Sequence, residues 1–151
     1  MHELNHEGLS PFPRTAQPDL EKSAKGLNDL STIIHQRNVD AGWWSDLITG
    51  ADLRGKDEHG RDRRNVPELL CLVHSELSEA MEGYRKNLKD DKLPHRGMFE
   101  VELADALIRI FDIAGSQNLD LAGAVLEKLA FNKVRPDHKK ENRLSEDGKK
   151  F

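Results

Sequence analysis

The sequence predicts an all-α protein: a bundle of four to five helices with extended N- and C-terminal arms. Three observations carry that expectation. Apolar residues recur at helical spacing along several separate stretches. The composition, 33% charged and 36% hydrophobic with few aromatic residues, suits helices that keep a wet face. Two acidic pairs, Glu76-x-x-Glu79 and Glu102-x-x-Asp105, have the three-residue spacing that places both members on one helix face.

At 151 residues the chain is most simply one domain with tails. Its expected divisions are a flexible arm over 1–20, a helical domain over 21–136 and an extended tail over 137–151. The arm carries Pro11, Pro13 and Pro18 among polar residues without a period. From about Asp19 to Val39, Leu20, Leu27, Leu30, Ile33 and Ile34 mark a first helix, which also carries His35. Trp43 and Trp44 follow at its end. Adjacent tryptophans either divide the work, one plugging the core and the other reaching a surface or cleft where its ring can stack on a base, or both serve as hydrophobic plugs. Residues 50–65 form a charged, glycine-punctuated loop, expected to be solvated despite Arg61, Arg63 and Arg64.

Asn65 and Pro67 are start signals for the first acidic helix, on which Leu69, Leu70, Val73, Leu77, Ala80 and Met81 make an apolar arc with Glu76 at its edge. Residues 86–97, with Pro94 and Gly97, supply a turn. On the second acidic helix apolar residues take most of the circumference, which predicts burial nearly all round. Glu102, Asp105, Arg109 and Asp112 fill the narrow polar stripe that remains. In an antiparallel hairpin, Glu79 and Asp105 each lie roughly 12 Å from the turn, so the four carboxylates meet at one level. Buried carboxylates must be paired or metal-bound, and hard oxygen donors favour Mg²⁺, with Mn²⁺ as substitute. A last helix, capped by Asp120, gathers Lys128, Asn132, Lys133 and Arg135 at its end. These residues complement the helix dipole or donate to phosphates.

The single Cys71 excludes an internal disulfide, and no N-terminal apolar run has the form of a signal peptide or membrane span, so a cytoplasmic location is expected. A net charge of −4 argues against nucleic-acid binding as the function of the whole chain. With this composition, self-association is a route to completing the core.

At these residues the sequence resembles the MazG-like members of the all-α nucleoside triphosphate pyrophosphohydrolases, which include dimeric dUTPases and dCTP pyrophosphatases. Their Glu-x-x-Glu, gap, Glu-x-x-Asp pattern is matched at Glu76, Glu79, Glu102 and Asp105. Gly42-Trp43-Trp44, the stretch 79–86 and Glu127-Lys128 to Pro136 extend the resemblance, which covers about 27–135. The resemblance implies a homodimer or homotetramer in which the four acids hold Mg²⁺ and a water attacks the α-phosphorus of a nucleoside triphosphate. It places His35 and Trp44 on the base side, and Lys128, Asn132 and Lys133 at the phosphates. Arg109 departs from the aromatic residue that some relatives carry there. Glu79 is the candidate general base, because a base must reach water. The rival expectation is a non-catalytic dimerisation or regulatory module whose acidic stripe pairs with Arg109, Arg85 or Lys128.

Overall fold

The computed structural model describes residues 17–148, apart from the side chains of Gln17 and Pro18. The expected N-terminal arm therefore lies outside the described residues up to residue 16, as do residues 149–151 of the tail. Residues 17–20 belong to a helix. The described chain is all-α: α1 (Gln17–Asp40), α2 (Val66–Lys86), α3 (Met98–Ser116), α4 (Leu121–Val134), a 3-10 turn (Pro136–His138) and α5 (Lys140–Leu144). Among these residues extended pairing is confined to isolated bridges, such as Lys89 with Gly97. Contacts divide the described chain into two compact units, residues 29–119 and residues 17–28 with 120–148. That division differs from the single span 21–136 drawn from the sequence, and α1 contributes to both units.

The larger unit is built on the α2–α3 hairpin. Asn65 caps α2 by accepting from Glu68 N at 3.3 Å, and Pro67 sits in the first turn, where a missing N–H costs nothing. The helix ends at Asn87, which takes the left-handed conformation (φ 51°) and sends its N–H back to the last turn. The helices run antiparallel: Gly83 meets Met98 and Phe99 near the turn, and Glu76 meets Arg109 further along. A side chain at Gly83 would bring its Cβ to 2.9 Å from Met98 Cβ, so the hairpin closes there because glycine offers no atom in the way.

The core of this unit is thin. Its buried apolar residues are Trp44, Val73, Ala80, Ala106, Phe111 and Ala114, and half of these are alanine. The expectation that α3 is buried nearly all round is corrected. Leu103, Leu107 and Ile110 stand 42%, 46% and 38% exposed, and Leu70, Leu77 and Met81 on α2 are more than 40% exposed. Within this unit α3 meets α2 on one face and α1 at Ser31 and His35, which leaves these side chains only partly covered by the described residues.

The connection between α1 and α2 is mostly exposed, as expected, and runs as a series of tight turns. Asp46, Asp52 and Asp57 each accept hydrogen bonds from backbone N–H groups just ahead of them, and left-handed Gly50, Gly55 and Gly60 reverse the chain after each. Its arginines act as staples. Arg61 pairs with Asp57, Arg63 donates to the carbonyls of Asp52 and Lys56, and Arg64 donates to Trp43 O.

In the smaller unit Asp120 caps α4 by accepting from Gly123 N at 2.9 Å, and it also accepts from Asn28 Nδ2 at 3.1 Å. The tail expected to be extended is instead turned over Pro136–Leu144. Proline supplies a preset φ at the start, Arg135 grips Asp137 with two donors, and Asn142 Nδ2 donates to Pro136 O at 2.6 Å.

Candidate metal centre

One oxygen from each of Glu76, Glu102 and Asp105 lies within 4.8 Å of the other two. Glu76 and Glu102 are buried, at 7% and 8% exposure, and Asp105 is half-buried. Helical spacing explains the convergence, because Glu102 and Asp105 share one face of α3 and that face is turned to Glu76 across the hairpin. Glu79 lies one turn further along α2 and is exposed. It lines the same cavity of about 420 Å³ but stands apart from the tight triad.

The electrostatics record the strain of this arrangement. Burial, the hydrogen bond with Glu76, and the charges of Glu79, Glu76 and Asp105 push the Glu102 carboxyl up to about 7. That hydrogen bond needs a proton on one of the two carboxyls. Asp105 is also raised, first by burial and then by Glu76, with Arg109 opposing. Among the described residues the one cation in direct contact is Arg109, whose Nε donates to Glu76 Oε1 at 2.6 Å. Arg85 pairs instead with Glu82.

Two residues that sequence reasoning did not assign belong to this cavity. Asp90 is 5% exposed and accepts from Lys92 N at 3.0 Å and Leu93 N at 2.5 Å, so it shapes the α2–α3 turn over the acids. Lys92 lines the cavity from that turn. The signal was an aspartate two and three residues ahead of the amides of a proline-ended turn.

A second cavity of about 260 Å³ shares Asp105 and Arg109 with the first and is otherwise lined by Trp43, Trp44, Asn38, Arg64, Asp112 and apolar residues of α2 and α3. Trp44 is 2% exposed. Its indole N–H donates to Asp112 at 2.9 Å, and the same carboxylate meets His35 Nδ1 at 2.7 Å. The two rings sit edge to face at 5.3 Å. Asp112, read in the sequence only as part of the polar stripe, therefore fixes both expected base-side residues. Trp43, at 64% exposure, is the tryptophan with a free face.

The remaining expected residues lie in the other unit. Lys128 and Arg135 sit over the Phe131 ring at 4.9 and 5.6 Å, and Arg135 also pairs with Asp137. Asn132 Oδ1 is buried with no hydrogen-bond partner among the described residues, and Lys133 is in the last turn of α4.

The donor set suits a hard divalent cation. All three groups offer carboxylate oxygen, and Mg²⁺ ligands about 2.1 Å from the ion stand roughly 3 to 4 Å apart, a separation that small side-chain adjustments reach from this arrangement. Comparison with protein-family models, with curated proteins and with solved structures finds no match.

Proposed function

We propose that the chain is a Mg²⁺-dependent nucleoside triphosphate pyrophosphohydrolase, releasing pyrophosphate and leaving a nucleoside monophosphate. The observation that carries this reading is the meeting of Glu76, Glu102 and Asp105 across the hairpin, beside a cavity walled by two tryptophans, two arginines and two aspartates. Under this reading Glu76, Glu102 and Asp105 hold the metal. When bound, the divalent cation neutralises phosphate charge and acidifies the attacking water. Glu79, exposed and on the same cavity wall, keeps its oxygens available to accept the water's proton. Trp43 offers a ring face and Arg64 a guanidinium in the second cavity, where base and sugar would lie. His35 and Trp44 shape that cavity through Asp112. The phosphate-side roles of Lys128, Asn132 and Lys133 rest on the resemblance, and that of Arg135 on its place among the cations at the end of α4. The exposed leucines of α2 and α3 favour a homodimer or homotetramer, which sedimentation would measure.

The test is a panel of nucleoside triphosphates assayed with Mg²⁺ and analysed for monophosphate and pyrophosphate. Glu76→Gln and Asp105→Asn should abolish turnover while leaving the helical circular dichroism intact. Unchanged turnover in both would remove the catalytic reading.

A second reading has one observation in its favour. The Arg109–Glu76 pair is the contact expected of a non-catalytic module whose acidic stripe is ion-paired. Thermal melting with Mg²⁺ separates the two readings, because a metal site present only in the folded state raises the melting temperature and a module without one does not move.

A further inference from the structure

Arg109 occupies an unusual position for a residue beside a metal centre. It is the one cationic side chain that lines both cavities, and it is bonded to one of the three clustered carboxylates. Its Nε is committed to Glu76 at 2.6 Å, whereas its two Nη groups have no hydrogen-bond partner among the described residues. The side chain is 41% exposed and the Glu76 carboxylate 9%, so the arginine reaches inward from a wet edge to a buried acid. A long side chain anchored by one donor at a cavity mouth can be exchanged without disturbing the core.

We infer that Arg109 is the resident counter-ion of the acidic centre, holding Glu76 in the metal-free protein and giving it up to an entering divalent cation. The inference rests on the metal-centre reading above and adds a step to it. Three clustered carboxylates without a cation repel one another, and a guanidinium on Glu76 relieves part of that repulsion. A divalent ion relieves more of it and competes for the same Glu76 carboxylate. Once displaced, the guanidinium would still line the second cavity with Arg64, where its donors would be available to an anion. A dedicated cation in this place keeps the hairpin folded when metal is scarce, and it sets a threshold that the metal must exceed.

The experiment uses the full chain and two readouts that do not depend on turnover. The first is the ¹⁵N–¹H resonance of Arg109 Nε, identified by its absence in Arg109→Lys and followed during Mg²⁺ titration. In the metal-free protein it should be shifted downfield and slow to exchange, and at saturation it should lose both properties. The second is calorimetric binding of Mn²⁺. Arg109→Gln should bind roughly three- to tenfold tighter than wild type, on the scale of one partly exposed charge-assisted contact, while its metal-free melting temperature falls. If wild type binds no Mn²⁺ or Mg²⁺, the metal-centre reading and this inference both fail. If wild type binds metal and the Arg109 resonance stays shifted and protected at saturation, the inference alone is overturned. Because the resonance is read in wild type, an Arg109→Gln variant that does not fold leaves the test decisive.

Discussion

Replacing Glu102 by glutamine should make the metal-free protein more stable at pH 8 and deprive it of metal binding. The neutral amide keeps the shape of the side chain and can donate to Glu76. Moving the Glu102 pKa from 4.5 to about 7 sets a ceiling of about 3 kcal/mol on the cost of ionising it in the fold. Glu76, Glu79 and Asp105 share that repulsion and relax when one charge goes, so a gain of about 1–2 kcal/mol is expected from the substitution. The sign follows from proton binding. The native state holds the Glu102 proton more tightly than the unfolded chain, so this contribution to stability is full below about pH 4.5 and is lost as the pH rises through about 7. Glu102→Gln removes that loss. At roughly 2–4 °C per kcal/mol for a chain of this length, its melting temperature in chelator should exceed wild type by about 3–6 °C at pH 8, and the difference should close at pH 5. Adding Mg²⁺ should stabilise wild type and leave the variant where it was. A variant equal to or less stable than wild type at pH 8, in chelator, would show that the carboxylates do not strain one another.

Three further substitutions probe what positions the site. Gly83→Ala should cost about 1–2 kcal/mol in urea unfolding, because the helix-propensity gain is smaller than the clash with Met98 and the Phe99 backbone; a neutral or stabilising result would mean the hairpin crossing is loose. Trp44→Phe keeps the buried ring and removes the indole donor to Asp112, so thermal melting should show a loss of about 1–2 kcal/mol, and an unchanged midpoint would mean Asp112 does not need that bond. Asp90→Ala frees the amides of Lys92 and Leu93, whose hydrogen exchange should quicken at a cost of about 1 kcal/mol; exchange at the wild-type rate would remove Asp90 from the turn's support.

The hairpin and its caps were legible because local chemistry specifies them. Asn65, Pro67 and Asp120 act at the positions where sequence placed them, and the three-residue spacing of the acids carried directly into one shared face. What was hidden depended on contacts distant in sequence. Spacing alone could not separate exposed Glu79 from buried Glu76, since which turn of α2 faces α3 is set by where Gly83 lets the helices cross. Nor could the tryptophans be told apart, because the choice of Trp44 for the interior depends on an acceptor, Asp112, that lies 68 residues away. The 50–65 loop is exposed, as its composition indicated; what composition did not show is that its charges pair with one another and that Arg63 donates to the loop's own carbonyls. The near-complete burial expected of α3 failed for a different reason. Apolar periodicity reports which faces avoid water and says nothing about whether one chain covers them all.

Under the proposed function, Glu76, Glu102 and Asp105 form one divalent-cation site. Anomalous diffraction from crystals of the full chain grown with Mn²⁺ tests it most directly. The predicted result is a peak about 2.0–2.4 Å from an oxygen of each of the three residues, with the Arg109 side chain moved off Glu76. Anomalous density that avoids this cluster at saturating Mn²⁺, with Arg109 still bonded to Glu76, would contradict it.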